Sequence, residues 1–284
     1  MNILIIIPVF NEEKNIEKCV ESFQNQTHKV SKIILVNDSS SDNTLKILKS
    51  LSQLHKNIEF IDFKNSESRA IPGKKIIKAF NHGLSKNQIK YDFIGKFDGD
   101  LILPINYFEV MIKEFKKDKN LGLVSGVIAS IKNKKWNIEE MYDKDHVRGG
   151  TKLYTHESFQ KIGGLKESIG WDTLDEMHLR YFGYEIKVVN HIVSKQLRAT
   201  GERYSKDKYR KQGKVMYLLG YDIFLAIIGS LKFCVKEKSV LPFFQSLISF
   251  FKNSLNNEKK IVNDKLATFV RSFRYKRIKK KLRF

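Results

Sequence analysis

Four short apolar runs, residues 3–7, 33–36, 58–61 and 93–97, alternate along this chain with stretches whose apolar residues recur at helical spacing. No other feature restricts the fold as much. The intervening stretches carry Ile16, Val20 and Phe23, then Leu45, Leu48 and Leu51, then Ile77, Phe80 and Leu84, each set lying on one side of a helix. The runs themselves are continuously apolar, as strands buried on both faces are. Strand–helix–strand order, with the right-handed crossover rule, gives an α/β fold: a mostly parallel sheet with helices on both faces. Ligands of such sheets sit beyond the carboxyl ends of the strands. Asn11, Asp38 and Asp98 come shortly after strand candidates and are expected to share one crevice.

The 284 residues suffice for one large domain or a domain with an appendage. A second block, from residue 121 to about 201, offers strand candidates at 123–131 and 186–189, a helix at about 174–182, and glycine-bearing loops at Arg148-Gly149-Gly150 and Gly163-Gly164. Composition changes after Gly201. Basic residues crowd 203–214, apolar segments cover 215–235 and 241–251, and residues 271–284 are dense in Arg and Lys. The expected division is a domain over 1–201 and a basic, apolar, helical region over 202–284. The formal net charge of +21 points to phosphate-bearing partners: a nucleotide, a nucleic acid or an anionic membrane. Cys19 and Cys234 lie far apart and suggest a reducing compartment. No basic leader precedes the first apolar run, which Pro8 stops, so that run reads as a buried strand and not a signal peptide.

Lys96-Phe97-Asp98-Gly99-Asp100-Leu101 sets two carboxylates one residue apart at the end of the fourth run. Hard divalent cations prefer carboxylate oxygens, and Mg2+ commonly takes one or two of them plus substrate phosphates. The plain alternative is an acidic turn, since Asp-Gly is a turn pair.

Four segments, Pro8-Val9-Phe10-Asn11-Glu12, Val36-Asn37-Asp38-Ser39-Ser40-Ser41-Asp42, Asp98-Gly99-Asp100 and Trp171-Asp172-Thr173-Leu174-Asp175-Glu176, in this order and at these spacings, resemble the family-2 glycosyltransferases of Rossmann-like GT-A fold. The likeness extends to about Gly201 and, more loosely, to Tyr221. It implies that Pro8, Val9 and Phe10, with Asn11 and Glu12 after them, form the loop packed on a nucleotide base. Asp38 matches the carboxylate that bonds base or ribose. The family's preceding Asp is Asn37 here, which implies a changed base contact. Asp98 and Asp100, around Gly99, match the metal motif for Mn2+ or Mg2+. In that motif Asp100 ligates the cation and Asp98 holds ribose or a metal-bound water. Asp175 matches the base that deprotonates the acceptor, with Glu176 as the alternative register. The family's inverting single displacement is implied with it.

Cleavage of a sugar–diphosphate bond leaves negative charge that cations stabilise. Lys74 (after Gly73), Lys75, Arg69 and Arg148 are candidates for that role. The family's histidine-bearing segment before a Thr-Gly pair corresponds to Gln196-Leu197-Arg198-Ala199-Thr200-Gly201, so Gln196 stands at the histidine's position and Arg198 remains a phosphate contact. Each residue also has a plainer role. Asp38 can cap the following helix, Asp175 can complement a helix dipole, Phe10 can fill core, and Lys74 and Lys75 can be solvated.

The stretch 215–235 is nearly long enough to cross a bilayer, but Asp222 in its middle makes spanning costly. An apolar helix beside a cationic tail is the pattern of a peripheral membrane anchor, and a helical subdomain with a solvated basic surface is the alternative. The expected activity is metal-dependent inverting transfer from a UDP- or GDP-linked sugar to a glycan or lipid-linked acceptor. The expected setting is cell-surface polysaccharide synthesis at the cytoplasmic face of a membrane. Transfer to a polyprenyl phosphate is a nearby alternative. Nucleic-acid binding, suggested by charge alone, lacks any recognisable motif.

Overall fold

The computed structural model describes residues 1–64, 73–132, 135–138, 146–198 and 207–282. The chain divides into two compact units, residues 1–200 and 201–284.

In the first unit, β1 (Ile3–Val9), β2 (Lys32–Asp38), β3 (Ile58–Phe63) and β4 (Phe93–Phe97) are parallel, in the order β3-β2-β1-β4. Isoleucine-rich β1 runs down the middle of this half and sends alternate side chains to two cores. Ile3, Ile5, Ile7 and Val9 pack in one core with Ile16, Cys19, Val20 and Phe23 of α1 (Ile16–Gln24) and Phe108, Met111 and Ile112 of α4 (Tyr107–Lys117). Leu4 and Ile6 pack in the other with Ile77 and Phe80 of α3 (Lys74–Ser85) and Trp171 and Leu179 of α6 (Trp171–Tyr181). The apolar runs are therefore continuous because helices cover both faces.

Beyond β4 the sheet becomes mixed. β8 (Thr151–Thr155), which leads into the short helix α5 (His156–Lys161), pairs antiparallel with β4 and with β6 (Leu121–Lys132), and β6 pairs parallel with β9 (Glu185–Gln196). The two-residue strand β5 (Leu101–Ile102) joins the far end of β9, with Leu101 opposite Gln196. β7 (Lys135–Ile138) pairs with β6. Two of these pairings position the site. β8 brings the loop at Arg148 alongside the end of β4, and β5 ties Gln196–Arg198 to the segment after Asp98-Gly99-Asp100.

The second unit is helical: α7 (Lys208–Leu218), α8 (Ile223–Glu237), α9 (Leu241–Leu255) and α10 (Asp264–Leu282). The apolar stretch 215–235 is not one helix. It breaks at Gly220, where φ is +73°, and Asp222 caps α8 by accepting the Leu225 N–H at 2.9 Å. That cap, together with two 2.8 Å contacts from the Tyr275 hydroxyl, explains the acid that made the segment look unlike a membrane span. Among the described residues no helix is long and apolar enough to cross a membrane.

Candidate active site

The carboxyl ends of β1, β2 and β4 open on the same side of the sheet because the three strands are parallel. The loop after β1 and the loop after β2 are tied together. The Asn11 N–H donates to Ser40 Oγ at 3.0 Å, Asn11 Oδ1 accepts the Ser41 N–H at 2.9 Å, and the Glu12 N–H donates to Thr44 Oγ1 at 2.8 Å. Asn11 (φ +50°) and Ser39 (φ +56°) hold left-handed conformations that cost a non-glycine residue energy, and such strain gathers at functional sites. Asp38, at the end of β2, is buried. It does not cap α2 (Thr44–Leu54): the Thr44 N–H at that helix start is taken by Asp42 Oδ1 at 3.0 Å. Asn37 spends its amide within the protein, donating to Asp62 Oδ1 at 2.7 Å and accepting the Ser40 N–H at 3.2 Å. Pro8 and Phe10 are half-buried and Val9 is core.

At the end of β4 a set of charges converges. Lys96, buried within the strand, forms a short ion pair with Asp98. Asp100 is 2% exposed and accepts from Gln196 Nε2 at 3.2 Å, with Arg198 Nε 3.8 Å away. Arg198 also forms a short ion pair with Glu12. The Asp100 carboxyl is pushed up to about 7, first by burial and then by the Asp98 and Glu12 carboxylates. Gln196, which stands at the position of the family's histidine, is thus an amide donor to Asp100. Gly99 lies near Glu12, since a Cβ there would sit 3.6 Å from Glu12 Cγ.

Arg148 is drawn toward both Asp172 and Asp98, although burial, the larger influence, lowers its proton affinity. The two glycines after it lie against the site. A Cβ on Gly149 would fall 2.9 Å from the Trp171 ring, and one on Gly150 only 2.7 Å from Asp98 Oδ2. Gly150 also accepts the Asp98 N–H at 3.0 Å. Lys74 opens α3 directly after Gly73 (φ +88°), whose Cβ would meet Trp171 at 3.0 Å. The Trp171 ring lies 5.4 Å from Lys96 Nζ and 5.3 Å from Lys152 Nζ, within cation–π range of both.

Lys152 links this floor to the acidic pair on α6. Its Nζ donates to both Asp175 oxygens at 2.8 Å and to the Asp172 carbonyl at 2.6 Å, and lies 3.6 Å from Glu176. Tyr154 adds a short hydrogen bond to Asp175. Asp175 is 3% exposed. Burial and Glu176 raise its proton affinity against the pull of Lys152. Glu176 accepts the Val147 N–H at 2.8 Å and faces His146 Nδ1 at 3.0 Å. The first-turn acid that suits the helix dipole is Asp172, not Asp175.

The predicted residues Glu12, Asp98, Gly99, Asp100, Arg148 and Arg198 therefore meet in one cluster. Asn11 and Asp38 border it on the neighbouring strand ends, and Asp175 and Glu176 join through Lys152 and Trp171. Arg69 lies outside the described residues. Sequence reasoning missed Lys96, Lys152 and His146. The available signal was a lysine inside each of two strands buried along their length, Phe93–Phe97 and Thr151–Thr155, because a buried charge requires a partner.

The sequence matches the model of "Glycosyl transferase family 2" over residues 4–169. The poly-beta-1,6-N-acetyl-D-glucosamine synthase of Staphylococcus epidermidis is 27% identical over 124 residues, 44% of this chain and 28% of that protein. The chondroitin synthase of Escherichia coli is 32% identical over 122 residues, 42% of this chain and 16% of that one. The matched region thus spans under a third of either relative's length. Among solved structures, S. aureus TarS 1-349 in complex with UDP-GlcNAc superposes with a TM-score of 0.59 at 16% identity, covering 78% of this chain and 68% of TarS. GalNAc-T7 with UDP, GalNAc and Mn2+ gives 0.62 at 14% identity, over 92% of this chain and 55% of that one. The mannosyltransferase PcManGT of Pyrobaculum calidifontis, in complex with GDP-Man and Mn2+, gives 0.56 at 13% identity, over 94% and 78%. These likenesses identify the GT-A architecture.

Proposed function

The chain belongs to glycosyl transferase family 2, and from that premise we propose that it moves a sugar from a UDP- or GDP-linked donor to a glycan or lipid-linked acceptor, with inversion, in cell-surface polysaccharide synthesis. The observation that carries this reading is the cluster of Glu12, Asp98, Asp100, Arg148 and Arg198 at the carboxyl ends of parallel strands, with Asp38 on the adjacent end. The relatives and neighbours named above, with their polymer products and nucleotide ligands, support it.

The donor set suits a hard divalent cation. Among the described residues no group of three or more His, Cys, Asp or Glu side chains could hold a metal alone, so a cation here would complete its shell with substrate phosphates, the usual Mg2+ arrangement. Asp100 is the carboxylate for it. Asp100 is buried and crowded by two other acids, and both effects raise its proton affinity. Asp98, already paired with Lys96, suits a ribose hydroxyl or a metal-bound water. Bound Mn2+ or Mg2+ supplies charge to the leaving diphosphate. Arg148 and Arg198 add fixed positive charge there, and Asp38 orients the nucleoside. The acidic pair on α6 serves as the base system for the acceptor hydroxyl. Nucleoside diphosphate release from UDP-GlcNAc and GDP-mannose, with Mn2+ present, tests this reading. One of the two is expected to turn over and to stop when the cation is chelated. Turnover that survives chelation would contradict the metal assignment.

Two features of the second unit support a membrane setting. Leu241, Phe244, Ile248, Phe251 and Leu255 recur every three or four residues along α9 and are all exposed, as are Phe224, Leu231 and Val235 on α8. Residues 201–284 carry 21 Lys+Arg against six Asp+Glu. Apolar stripes beside dense positive charge suit an anionic lipid surface. This chain is expected to sediment with vesicles containing phosphatidylglycerol and not with phosphatidylcholine alone, and Phe244→Ser with Ile248→Ser is expected to release it. Equal sedimentation of parent and variant would refute the lipid contact.

A further inference from the structure

All four residues of β7 are exposed, so its apolar side chains serve no core. Trp136 and Ile138 are 41% and 55% exposed, and Ile131, opposite Trp136 on β6, is 48% exposed. Apolar residues grouped on an outer strand mark an interaction surface. Strand direction sets where this group stands. β8 runs antiparallel to β4 and to β6, so β6 and its parallel neighbour β9 end on the same side as β1, β2 and β4, and β7 starts there. Ile131 is one step beyond Ser130, which lies opposite Gln196, and Gln196 bonds Asp100. Side chains alternate between faces along a strand. Ile128 packs in the core with α1 and α4, so Ala129 and Ile131 turn to the other face, together with their cross-strand partners Ile138, Trp136 and Lys195. On that face, deeper in the sheet, Trp171 and Leu179 of α6 share a core with Leu123 and Tyr154. Lys195 Nζ lies 5.5 Å from the Trp136 ring. An exposed aromatic ring with a cation beside it thus stands at the mouth, on the sheet face that carries Asp175 and Glu176.

Resting on the transferase reading above, we propose that Trp136 is a binding platform for the acceptor, and that the acceptor is a chain of pyranose sugars. A pyranose with equatorial substituents presents a flat patch of C–H groups, and their partial positive charge suits the negative face of an aromatic ring. The Lys195 ammonium beside the ring is a donor for the hydroxyls at the rim of that patch. An apolar plane with a donor at its edge matches a sugar, which is apolar on its faces and polar around its rim. β7 lies three strand spacings, about 14 Å, from β5, which directly follows Asp100. The sugar on Trp136 is therefore not the one that reacts. It is a more distant unit of the same chain, whose terminal hydroxyl reaches the mouth. A lipid surface or a second copy seated on this patch would cover the opening, whereas an extended glycan leads into it.

The test titrates the full chain, with Mn2+ present, with chitohexaose and with chitobiose in a calorimeter, beside thermal shifts with UDP and GDP. The parent is expected to bind chitohexaose more tightly than chitobiose, because only the longer chain reaches from the mouth to the ring. Trp136→Ala is expected to weaken chitohexaose binding by about 10-fold, the scale of one ring-stacking contact, to bring it to the level of chitobiose, and to keep the parent's nucleotide shifts. Trp136→Tyr retains a ring and is expected to recover most of the affinity. Parent-like binding of chitohexaose by Trp136→Ala, or binding of neither oligomer by the parent, would overturn the platform. Equal losses for the two oligomers would place the sugar on an isolated patch and overturn the acceptor role. Sedimentation with phosphatidylglycerol vesicles that Trp136→Ala abolishes, with no oligomer bound by the parent, would make the patch a lipid contact instead. A parent that binds chitohexaose through Trp136 but shifts with neither nucleotide overturns the transferase reading, and the acceptor role with it.

Discussion

Asp100→Asn is expected to lower transfer by about 10²–10³-fold, the range for removing one preorganised charge-stabilising group, while the chain stays folded. The substitution preserves shape and the Gln196 contact, and it removes the charge that a cation needs. A pH signature accompanies it. In the parent, the folded-state value of about 7 stands above the ordinary 3.8, so the cation-free folded chain holds this proton more tightly than the unfolded chain does. The resulting stability is present in acid and is lost as pH rises through about 7. Mn2+ must displace the same proton. Its stabilising effect, read by thermal melting, is therefore expected to grow as pH rises toward about 7 and then level off. In Asp100→Asn that growth is expected to vanish. A variant with parental activity and a parental pH response would remove Asp100 from the site.

Lys152→Met is expected to be the most damaging change to the fold. The amine is fully buried, and its removal strands Asp175 and Glu176 without their shared counter-charge. Breaking one partner out of a buried pair costs about 3–5 kcal/mol. For a unit of this size that corresponds to a fall in Tm of roughly 6–20 °C. Neutralising Asp175 as well, in Lys152→Met with Asp175→Asn, is expected to recover part of the loss, since residues in one network are not additive. Calorimetry on the two variants decides it. A single variant as stable as the parent would mean that the buried charges are compensated elsewhere.

The parallel half of the sheet was legible because its signal is local. Runs such as Ile3–Val9 are apolar along their length, and strand direction alone places Glu12, Asp38 and Asp98 at one edge. α4 was also written in the sequence, as the helical period of Phe108, Met111, Ile112 and Phe115, although no strand-end acid draws attention to it. The antiparallel insertion of β8 between β4 and β6 was not legible. It depends on pairing Lys96 with Lys152, residues far apart in sequence whose like charges argue against adjacency until Asp98, Asp175 and the Trp171 ring are seen around them. The same holds for His146, whose meaning comes from Glu176, well separated from it along the chain. In the second unit, the apolar run 215–235 hid a helix break because hydropathy averages over Gly220, and only the capping geometry of Asp222 reveals two helices.

All of this requires that a cation-held nucleotide sit at the mouth formed by β1, β2 and β4. Crystals of the chain grown with Mn2+ and either UDP or GDP, with anomalous scattering recorded for manganese, test that directly. Expected is a single manganese peak on the Asp100 carboxylate, with diphosphate oxygens completing its shell and the nucleoside reaching toward Asp38. Manganese and nucleotide bound together on another surface, with Asp100 still engaged only by Gln196 and Arg198, would contradict it.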